Sequence, residues 1–308
     1  MLPATSANLG PAFDAAALAM DFHLRVSASR APDFFITAEG RDAEICRRMD
    51  DHLILTTYRE VLDSENRKVV PLSLHIENEI PIGKGCGSSA SARLAGIALA
   101  MHFGHLHWKD DRIVGEASMR EHHPDNASAC WMGGLTVARM ANQVQAQVVE
   151  VKPKGKWPLL LAIPDAPLPT EQARRVLPAQ YTRADAVTNI QNSMLLLSAF
   201  TQNRPELLLS ALEDRIHQPY RAPLCPLLPA IKELGRDSGV LGAALSGAGP
   251  SVLVFLDPKV SPQKARQRVA AHLTKRRLAA ELVLTQIALH GGRDGADWRK
   301  KHGARPAK

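Results

Sequence analysis

The stretch Ile80-Pro81-Ile82-Gly83-Lys84-Gly85-Cys86-Gly87-Ser88-Ser89-Ala90-Ser91-Ala92 follows a segment of alternating apolar and polar residues and precedes one rich in alanine and leucine. Glycine permits backbone conformations that other residues avoid, and it lets a ligand approach the chain closely. Free N–H groups and the helix dipole at a helix start favour anions. We therefore predict that residues 80–91, called the glycine loop, hold phosphate at the start of a helix.

The glycine loop differs from the common phosphate-binding patterns. No Gly-x-x-x-x-Gly-Lys-Ser/Thr occurs in the chain, and the three glycines do not fit Gly-x-Gly-x-x-Gly. Taken alone, the loop fits an ordinary glycine turn capped by Ser88 as well. Two further segments rich in small residues favour the phosphate site: residues 3–14, called the first motif, and residues 245–252, called the late loop.

The composition is that of an ordinary globular protein, with 45% hydrophobic and 22% charged residues. No apolar run reaches the roughly 20 residues that a membrane helix needs, and the N-terminus lacks a secretory-signal pattern. The four cysteines are far apart and form no Cys-x-x-Cys, which argues against a zinc site or a disulfide framework. We expect a cytoplasmic protein without a membrane partner.

The net charge of +7 raises the question of nucleic-acid binding. Residues 293–308 alone contain six Lys or Arg and two Asp, so most of the surplus belongs to the C-terminal end. Because no nucleic-acid motif accompanies this basic tail, we expect no nucleic-acid partner. A modest positive field would still attract a phosphorylated substrate.

Strands and helices are mixed along the chain. Alternation in residues 72–76 predicts a half-buried strand that leads into the glycine loop, and residues 88–103 and 110–120 are predicted helices. A polar stretch with two prolines, residues 152–158, is the predicted domain boundary.

Beyond that boundary the mixture repeats, with strands flanking the late loop. A helix is predicted at residues 184–200, with four apolar residues at helical spacing: Val187, Ile190, Met194 and Leu197. We predict the α+β class, with two domains at residues 1–152 and 153–290 and a basic, disordered tail at residues 291–308.

The order of the first motif, the glycine loop and the late loop resembles the GHMP kinases. The first motif and the segment His123-Pro124-Asp125-Asn126, called the HPDN segment, resemble the homoserine kinase family in particular. The resemblance implies an N-terminal ribosomal protein S5 domain 2-like domain and a C-terminal ferredoxin-like domain, with ATP and substrate between them. It also implies magnesium-dependent phosphorylation of L-homoserine to O-phospho-L-homoserine on the route to threonine, and a possible homodimer.

In the resembling family the glycine loop binds ATP. The corresponding residues here are Pro81, Ile82, Gly83, Lys84, Gly85, Cys86, Gly87, Ser88, Ser89, Ala90 and Ser91. A hydroxyl of Ser88 or Ser89 is expected at phosphate or Mg²⁺, and Lys84 is expected to point to solvent. The family's magnesium-binding glutamate matches Glu116, with a spacing to the HPDN segment about one residue short, and Glu121 is the second candidate.

The resemblance also assigns residues to the amino acid substrate, which needs an anion for its ammonium and an arginine fork for its carboxylate. Asn8 and Asp14 match the residues near the amino group, and Asn126 matches the residue near the reacting hydroxyl. Arg174 and Arg221 match the two arginines that bind the carboxylate. The predicted catalytic residues are Asn126, Ser88 and Arg174. No general base is evident, so catalysis is expected to rest on positioning and transition-state stabilisation.

Some features depart from the family pattern. The chain starts directly before the first motif, so either the start is placed late or the strand that usually precedes the motif is absent, which would expose a sheet edge. Ala12 and Cys86 replace a usual glycine and leucine. Two alternatives stay open: a GHMP kinase for another small alcohol, and a non-catalytic sensor of ATP or an amino acid with the same fold.

Overall fold

The computed structural model describes residues 1–295, which form two sheets with helices packed against them. The strands are β1 (Leu2–Ala7), β2 (Ala16–Arg30), β3 (Phe35–Gly40), β4 (Leu72–Asn78), β5 (Leu135–Met140), β6 (Ala146–Val151), β7 (Leu159–Ile163), β8 (Val240–Leu245), β9 (Val252–Leu256) and β10 (Glu281–Thr285). The predicted α+β class is confirmed.

The helices lie between these strands. They are α1 (Ala43–Cys46), α2 (Leu53–Ser64), α3 (Ser88–Phe103), α4 (Asp110–Glu121), α5 (Asp125–Met132), α6 (Thr170–Arg175), α7 (Arg183–Gln202), α8 (Leu208–Ala211), α9 (Gln218–Arg221), α10 (Leu227–Lys232) and α11 (Pro262–Lys275). Three short 3₁₀ turns lie at Pro205–Leu207, Ala222–Leu224 and Arg236–Ser238.

The first sheet has the order β3-β4-β2-β5-β6, and β1 pairs with β2. Side chains of β4 alternate between buried and more exposed positions, as its sequence pattern predicts. The second sheet has the order β10-β7-β9-β8, and its central strands β7 and β9 are wholly buried. The predicted boundary at residues 152–153 falls between β6 and β7, where the chain passes from the first sheet to the second.

The alternative in which the first strand is absent is wrong. The first half of the first motif is itself the strand β1, paired antiparallel with β2 from Leu2 opposite Leu24 to Ala7 opposite Ala17. The small residues of β1 are buried because α5 packs closely over this strand. The loop of the first motif therefore begins only at Asn8.

The helix α7 exposes most of the apolar residues whose spacing predicted it. Val187, Ile190 and Met194 are 46%, 60% and 60% exposed. The buried face contains Asn189 and Phe200. The periodicity thus predicted the helix, and its polar side chains contact the first motif: Asn189 and Ser193 both donate to the carbonyl of Pro11.

The chain returns to the first sheet after β10. The N–H of Ala288 donates to the carbonyl of Ala19, and the N–H of Gly292 donates to the carbonyl of Cys130. The predicted disordered tail from residue 291 is therefore wrong for residues 291–295, and its remainder, residues 296–308, lies outside the described residues. Among residues 1–295 no helix is long and apolar enough to cross a membrane.

Candidate active site

A cleft of about 880 Å³ lies between the two halves of the molecule. Its walls come from the first motif, the glycine loop, the HPDN segment, α6 and the late loop. One end is lined by apolar and polar residues of β2, β4 and the segment around α1. The other end gathers charged and amide side chains: Asn8, Asp14, Glu121, His123, Asp125, Asn126, Arg174 and Arg221.

The glycine loop has the backbone that its sequence predicts. Gly83, Gly85 and Gly87 have φ angles of 70°, 77° and 72°, which favour glycine, and Gly87 directly precedes α3. Most predicted nucleotide residues line the cleft: Ile82, Gly83, Gly85, Cys86, Gly87, Ser88, Ser89 and Ser91. The buried Pro81 and Ala90 are not among the lining residues.

Lys84 does not point to solvent as expected. Its Nζ donates to the carbonyl oxygens of Pro164 and Asp165, which follow β7. Lys84 is also absent from the residues that line the cleft. The lysine therefore fastens the glycine loop to the second half of the molecule.

The three small-residue segments are joined by hydrogen bonds. The Asn8 amide donates to Gly247 O at 2.8 Å, and Ser246 Oγ donates to Gly85 O at 2.7 Å. The N–H of Thr5 donates to the carbonyl of Cys86. Close approach explains the small residues, because a Cβ on Gly85 would lie 2.2 Å from Ser246 O.

Asn8 is buried, and both ends of its amide contact protein atoms. Its Nδ2 donates to Gly247 O, and its Oδ1 accepts the N–H of Asp14 at 2.9 Å. Asn8 thus sets the position of Asp14. Its direct contact with a substrate amino group stays a prediction.

Asp14 and Arg174 form a two-point ion pair across the cleft. Arg174 Nη2 lies 2.9 Å from Oδ1 of Asp14, and Nη1 lies 3.2 Å from Oδ2. The two residues are 160 positions apart, and α6 brings the arginine to the first motif. Both side chains remain about one-third exposed, so a ligand in the cleft can reach them.

Arg221 is almost completely buried beside this pair. Its Nε donates to Ala173 O at 2.9 Å, and its Nη1 lies 3.1 Å from His217 Nδ1. Burial lowers the pKa of Arg221, and the neighbouring Arg174 adds to the shift. Both guanidinium groups lie near the ring of Phe13, with Cζ of Arg174 5.6 Å and Cζ of Arg221 5.4 Å from the ring centroid.

The HPDN segment places three polar side chains at the same end. His123 Nδ1 lies 2.7 Å from Asp125 Oδ1, and Thr5 Oγ1 donates to Asn126 Oδ1 at 2.6 Å. Burial lowers the pKa of His123, but its hydrogen bond to Asp125 and the nearby carboxylates outweigh burial, so the pKa is raised. Ligand atoms of Asp14, His123 and Asp125 lie within 4.8 Å of one another, a group suited to a cation.

The structure does not bring Glu116 to the cleft. Its carboxylate is buried on α4 and pairs with Arg120, with Nη1 and Oε2 2.8 Å apart. Glu121 lies five residues later on the same helix, lines the cleft, and accepts a hydrogen bond from Ser89 Oγ at 2.5 Å. Its Oε1 also lies 2.6 Å from Arg93 Nε. Of the two carboxylates, only Glu121 therefore adjoins the glycine loop.

The sequence analysis assigned no role to five residues of the site: Thr5, Phe13, His123, Asp125 and His217. Thr5 and Phe13 belong to the first motif but have no chemistry of their own, so only their contacts reveal their roles. His217 precedes Arg221 by four residues, a spacing that puts both on one face of a helical turn. This spacing in the sequence could have predicted that His217 contacts Arg221.

Comparisons with protein families and with individual proteins both find GHMP kinases. Family models described as "GHMP kinases N terminal domain" and "GHMP kinases C terminal" match residues 52–134 and 196–275. A homoserine kinase of Solibacter usitatus is 43% identical over 256 residues, which cover 83% of this chain and 84% of that one. A homoserine kinase of Synechococcus is 36% identical over 259 residues, 83% of this chain and 85% of the other.

Solved structures show the same fold. The crystal structure of homoserine kinase from Cytophaga hutchinsonii has a TM-score of 0.80 at 22% identity and covers 94% of both chains. A putative homoserine kinase from Listeria monocytogenes has a TM-score of 0.72 at 27% identity and covers 94% of this chain and 96% of that one. A mevalonate kinase from L. major, in complex with R-mevalonate, has a TM-score of 0.69 at 15% identity, with coverage of 92% and 94%.

Proposed function

The chain belongs to the homoserine kinase family of the GHMP kinases, and from this premise we propose that it transfers the γ-phosphoryl group of ATP to the side-chain hydroxyl of L-homoserine. The products are ADP and O-phospho-L-homoserine, which lies on the route to threonine. One observation carries the substrate: Asp14 and Arg174 present an anion and a guanidinium fork side by side, in the same cleft as the glycine loop. These groups match the ammonium and carboxylate of an amino acid.

The nucleotide lies along the glycine loop in this proposal. Backbone N–H groups at the start of α3 bind its phosphates, and Ser88 adds a hydroxyl. The apolar residues at the far end of the cleft, among them Leu24, Ile45 and Ile76, accommodate the base. This arrangement directs the terminal phosphate toward the HPDN segment.

Asn126 is proposed to contact the reacting hydroxyl. Thr5 donates to its Oδ1, so the amide turns Nδ2 into the site, 3.4 Å from Asp125 Oδ1. Asp125 also accepts the N–H of Asn126 at 2.6 Å. The amide is thus held on both sides, and a fixed donor contributes by orienting the hydroxyl.

Magnesium is proposed to bind between the glycine loop and α4. The oxygen donors there, Glu121 and the hydroxyls of Ser88 and Ser89, are of the kind that Mg²⁺ takes together with phosphate oxygens. When bound, the ion neutralises charge on the phosphates. Glu116 is replaced in this role, because it faces Arg120 rather than the cleft.

Glu121→Gln is expected to raise the Mg²⁺ concentration for half-maximal activity at least about tenfold, because the neutral amide is a weaker ligand. Glu116→Gln is the matched control on the same helix: it weakens the pair with Arg120 and is expected to lower the melting temperature only. Magnesium titrations of initial rate, with melting curves of both variants, measure the difference. A larger magnesium effect in Glu116→Gln would contradict the assignment.

The function is tested by ATP consumption with Mg²⁺ and a panel of acceptors: L-homoserine, L-serine, L-threonine, mevalonate and galactose. Turnover with L-homoserine alone is the expected result. Turnover with mevalonate would support a kinase for another small alcohol. A folded chain that binds ATP and turns over no acceptor would support the non-catalytic sensor.

A homodimer through the exposed face of α7 is also proposed. Residues 186–203 contain no charged side chain, so two copies can pack this helix without placing like charges together. Ile190→Glu is expected to make the chain monomeric in sedimentation at a concentration where the parent chain dimerises. Val149→Glu is the control, because Val149 is as exposed on β6. An unchanged sedimentation coefficient in Ile190→Glu would exclude this surface.

A further inference from the structure

His217 is fully buried beneath the end of the cleft that contains the two arginines, at the residue before α9. Its Nε2 lies 2.8 Å from the carbonyl oxygen of Gly10, and its Nδ1 lies 3.1 Å from Nη1 of Arg221. Its ring also stacks on Phe13, with the centroids 5.1 Å apart. One side chain therefore joins the first motif to Arg221.

The hydrogen-bond partners of His217 determine which of its ring nitrogens bears the proton. A carbonyl oxygen can only accept and a guanidinium can only donate, so Nε2 must bear the hydrogen and Nδ1 must be the acceptor. The neutral Nε2–H tautomer alone satisfies both bonds. A second proton on Nδ1 would face the guanidinium of Arg221 directly.

The acceptor Nδ1 of His217 provides the second hydrogen bond that holds the guanidinium of Arg221. The Nε of this arginine donates to Ala173 O, and its Nη1 donates to His217, so two sides of the guanidinium are held. Among the described residues no hydrogen bond uses Nη2, and Arg221 lines the cleft. The remaining N–H groups are thus directed to a ligand.

We propose that His217 is a positioning residue, which orients Arg221 for the substrate carboxylate by accepting a hydrogen bond from its Nη1. It has this role only if Arg221 binds the carboxylate of L-homoserine, as in the proposed function. Gly10 and Phe13 hold the imidazole in place, because both contact its ring.

Burial is the main reason that the pKa of His217 is lowered, to about 4. Asp214, whose Oδ2 lies 3.5 Å from Nε2, and the more distant Asp14 raise it, whereas Arg221 lowers it. The ring is neutral at pH 7. Because the unfolded chain binds this proton near pH 6.5 and the folded chain does not, stability falls as the pH drops from about 6.5 toward 4.

Two substitutions by amide residues test the two hydrogen bonds of His217 one at a time. In His217→Asn, Oδ1 takes the place of Nδ1 and keeps an acceptor for Arg221. In His217→Gln, Nε2 keeps a donor for Gly10 but the acceptor for Arg221 is lost. We expect His217→Gln to raise KM for L-homoserine at least about tenfold with kcat within about threefold. His217→Asn should stay within about threefold of the parent chain in both.

A second acceptor tests the carboxylate itself. The compound 3-aminopropan-1-ol has the ammonium and hydroxyl of homoserine but no carboxylate, so His217→Gln is expected to leave its kcat/KM unchanged. Equal losses on both acceptors, or His217→Asn as impaired as His217→Gln, would make His217 merely structural and overturn the proposal. A parent chain that does not phosphorylate L-homoserine would instead overturn the proposed function.

The parent chain provides a test that needs no variant. Long-range ¹H–¹⁵N spectra at pH 7 should show His217 with hydrogen on Nε2 and a lone pair on Nδ1. An Nδ1–H tautomer or an imidazolium at this pH would overturn the proposal, because neither can accept a bond from Arg221.

Discussion

Asp14→Asn is expected to lower kcat/KM for L-homoserine about 100-fold, which corresponds to about 2.7 kcal/mol of lost transition-state stabilisation. The variant keeps the shape and the N–H bond to Asn8 but loses the charge that faces Arg174 and, in the proposal, the substrate ammonium. Arg174 then lacks its partner in a partly desolvated cleft. Steady-state kinetics with L-homoserine measures the loss, and calorimetry with ATP should show near-normal affinity.

Glu206→Gln is the matched control for this experiment. Glu206 also pairs with an arginine, Arg204, but on the surface after α7, so its loss is expected to leave turnover unchanged. Full activity in Asp14→Asn, with the control behaving as expected, would remove Asp14 from the substrate site. Loss of both ATP affinity and turnover would instead indicate that the first motif had collapsed onto the glycine loop.

Gly87→Ala is expected to lower kcat about 100-fold and to destabilise the fold by about 2 kcal/mol. Gly87 has a φ of 72°, and an added Cβ would lie 1.9 Å from Thr5 Oγ1 and 3.2 Å from Asn126 Oδ1. The methyl group must displace the threonine that orients Asn126, at the residue where α3 begins. Single-turnover kinetics and thermal melting measure the two effects.

The control for Gly87→Ala is Gly134→Ala. Gly134 has a similar φ of 68°, but an added Cβ there would meet nothing within 4 Å, so this variant carries the backbone strain without the clash. Gly134→Ala should therefore lower the melting temperature and leave kcat unchanged. In the double variant Gly87→Ala with Thr5→Ala the hydroxyl that clashes is gone, so partial recovery of folding is expected. Equal kinetic losses in Gly87→Ala and Gly134→Ala would refute the steric explanation.

Short sequence patterns predicted the elements whose ends are determined by neighbouring residues. The predicted helix at residues 88–103 coincides with α3, because the glycines before Ser88 and Gly104 after Phe103 mark both ends. The family was also predictable, since three short segments in one order rarely coincide, and the comparisons confirm it. Asp14 and Arg174 were assigned to the substrate from the resemblance, but their ion pair was not predicted, because 160 residues separate them in the sequence.

The wrong predictions share a cause, since each depended on which neighbour an element meets. Glu116 and Glu121 are both on α4, but the rotation of this helix decides which one reaches the glycine loop. Lys84 was predicted in solvent because its carbonyl partners come from a strand end 80 residues away.

The return of the chain to the first sheet after β10 affects how the protein is made. Strand β2 obtains partners from residues 286–288, and α5 obtains one from Gly292. The first half therefore cannot complete its hydrogen bonds until the ribosome has synthesised residues 286–292. Dividing the gene at the predicted boundary, residues 152–153, would separate β2 from these residues, and the two halves would be expected to regain activity only when they are produced together.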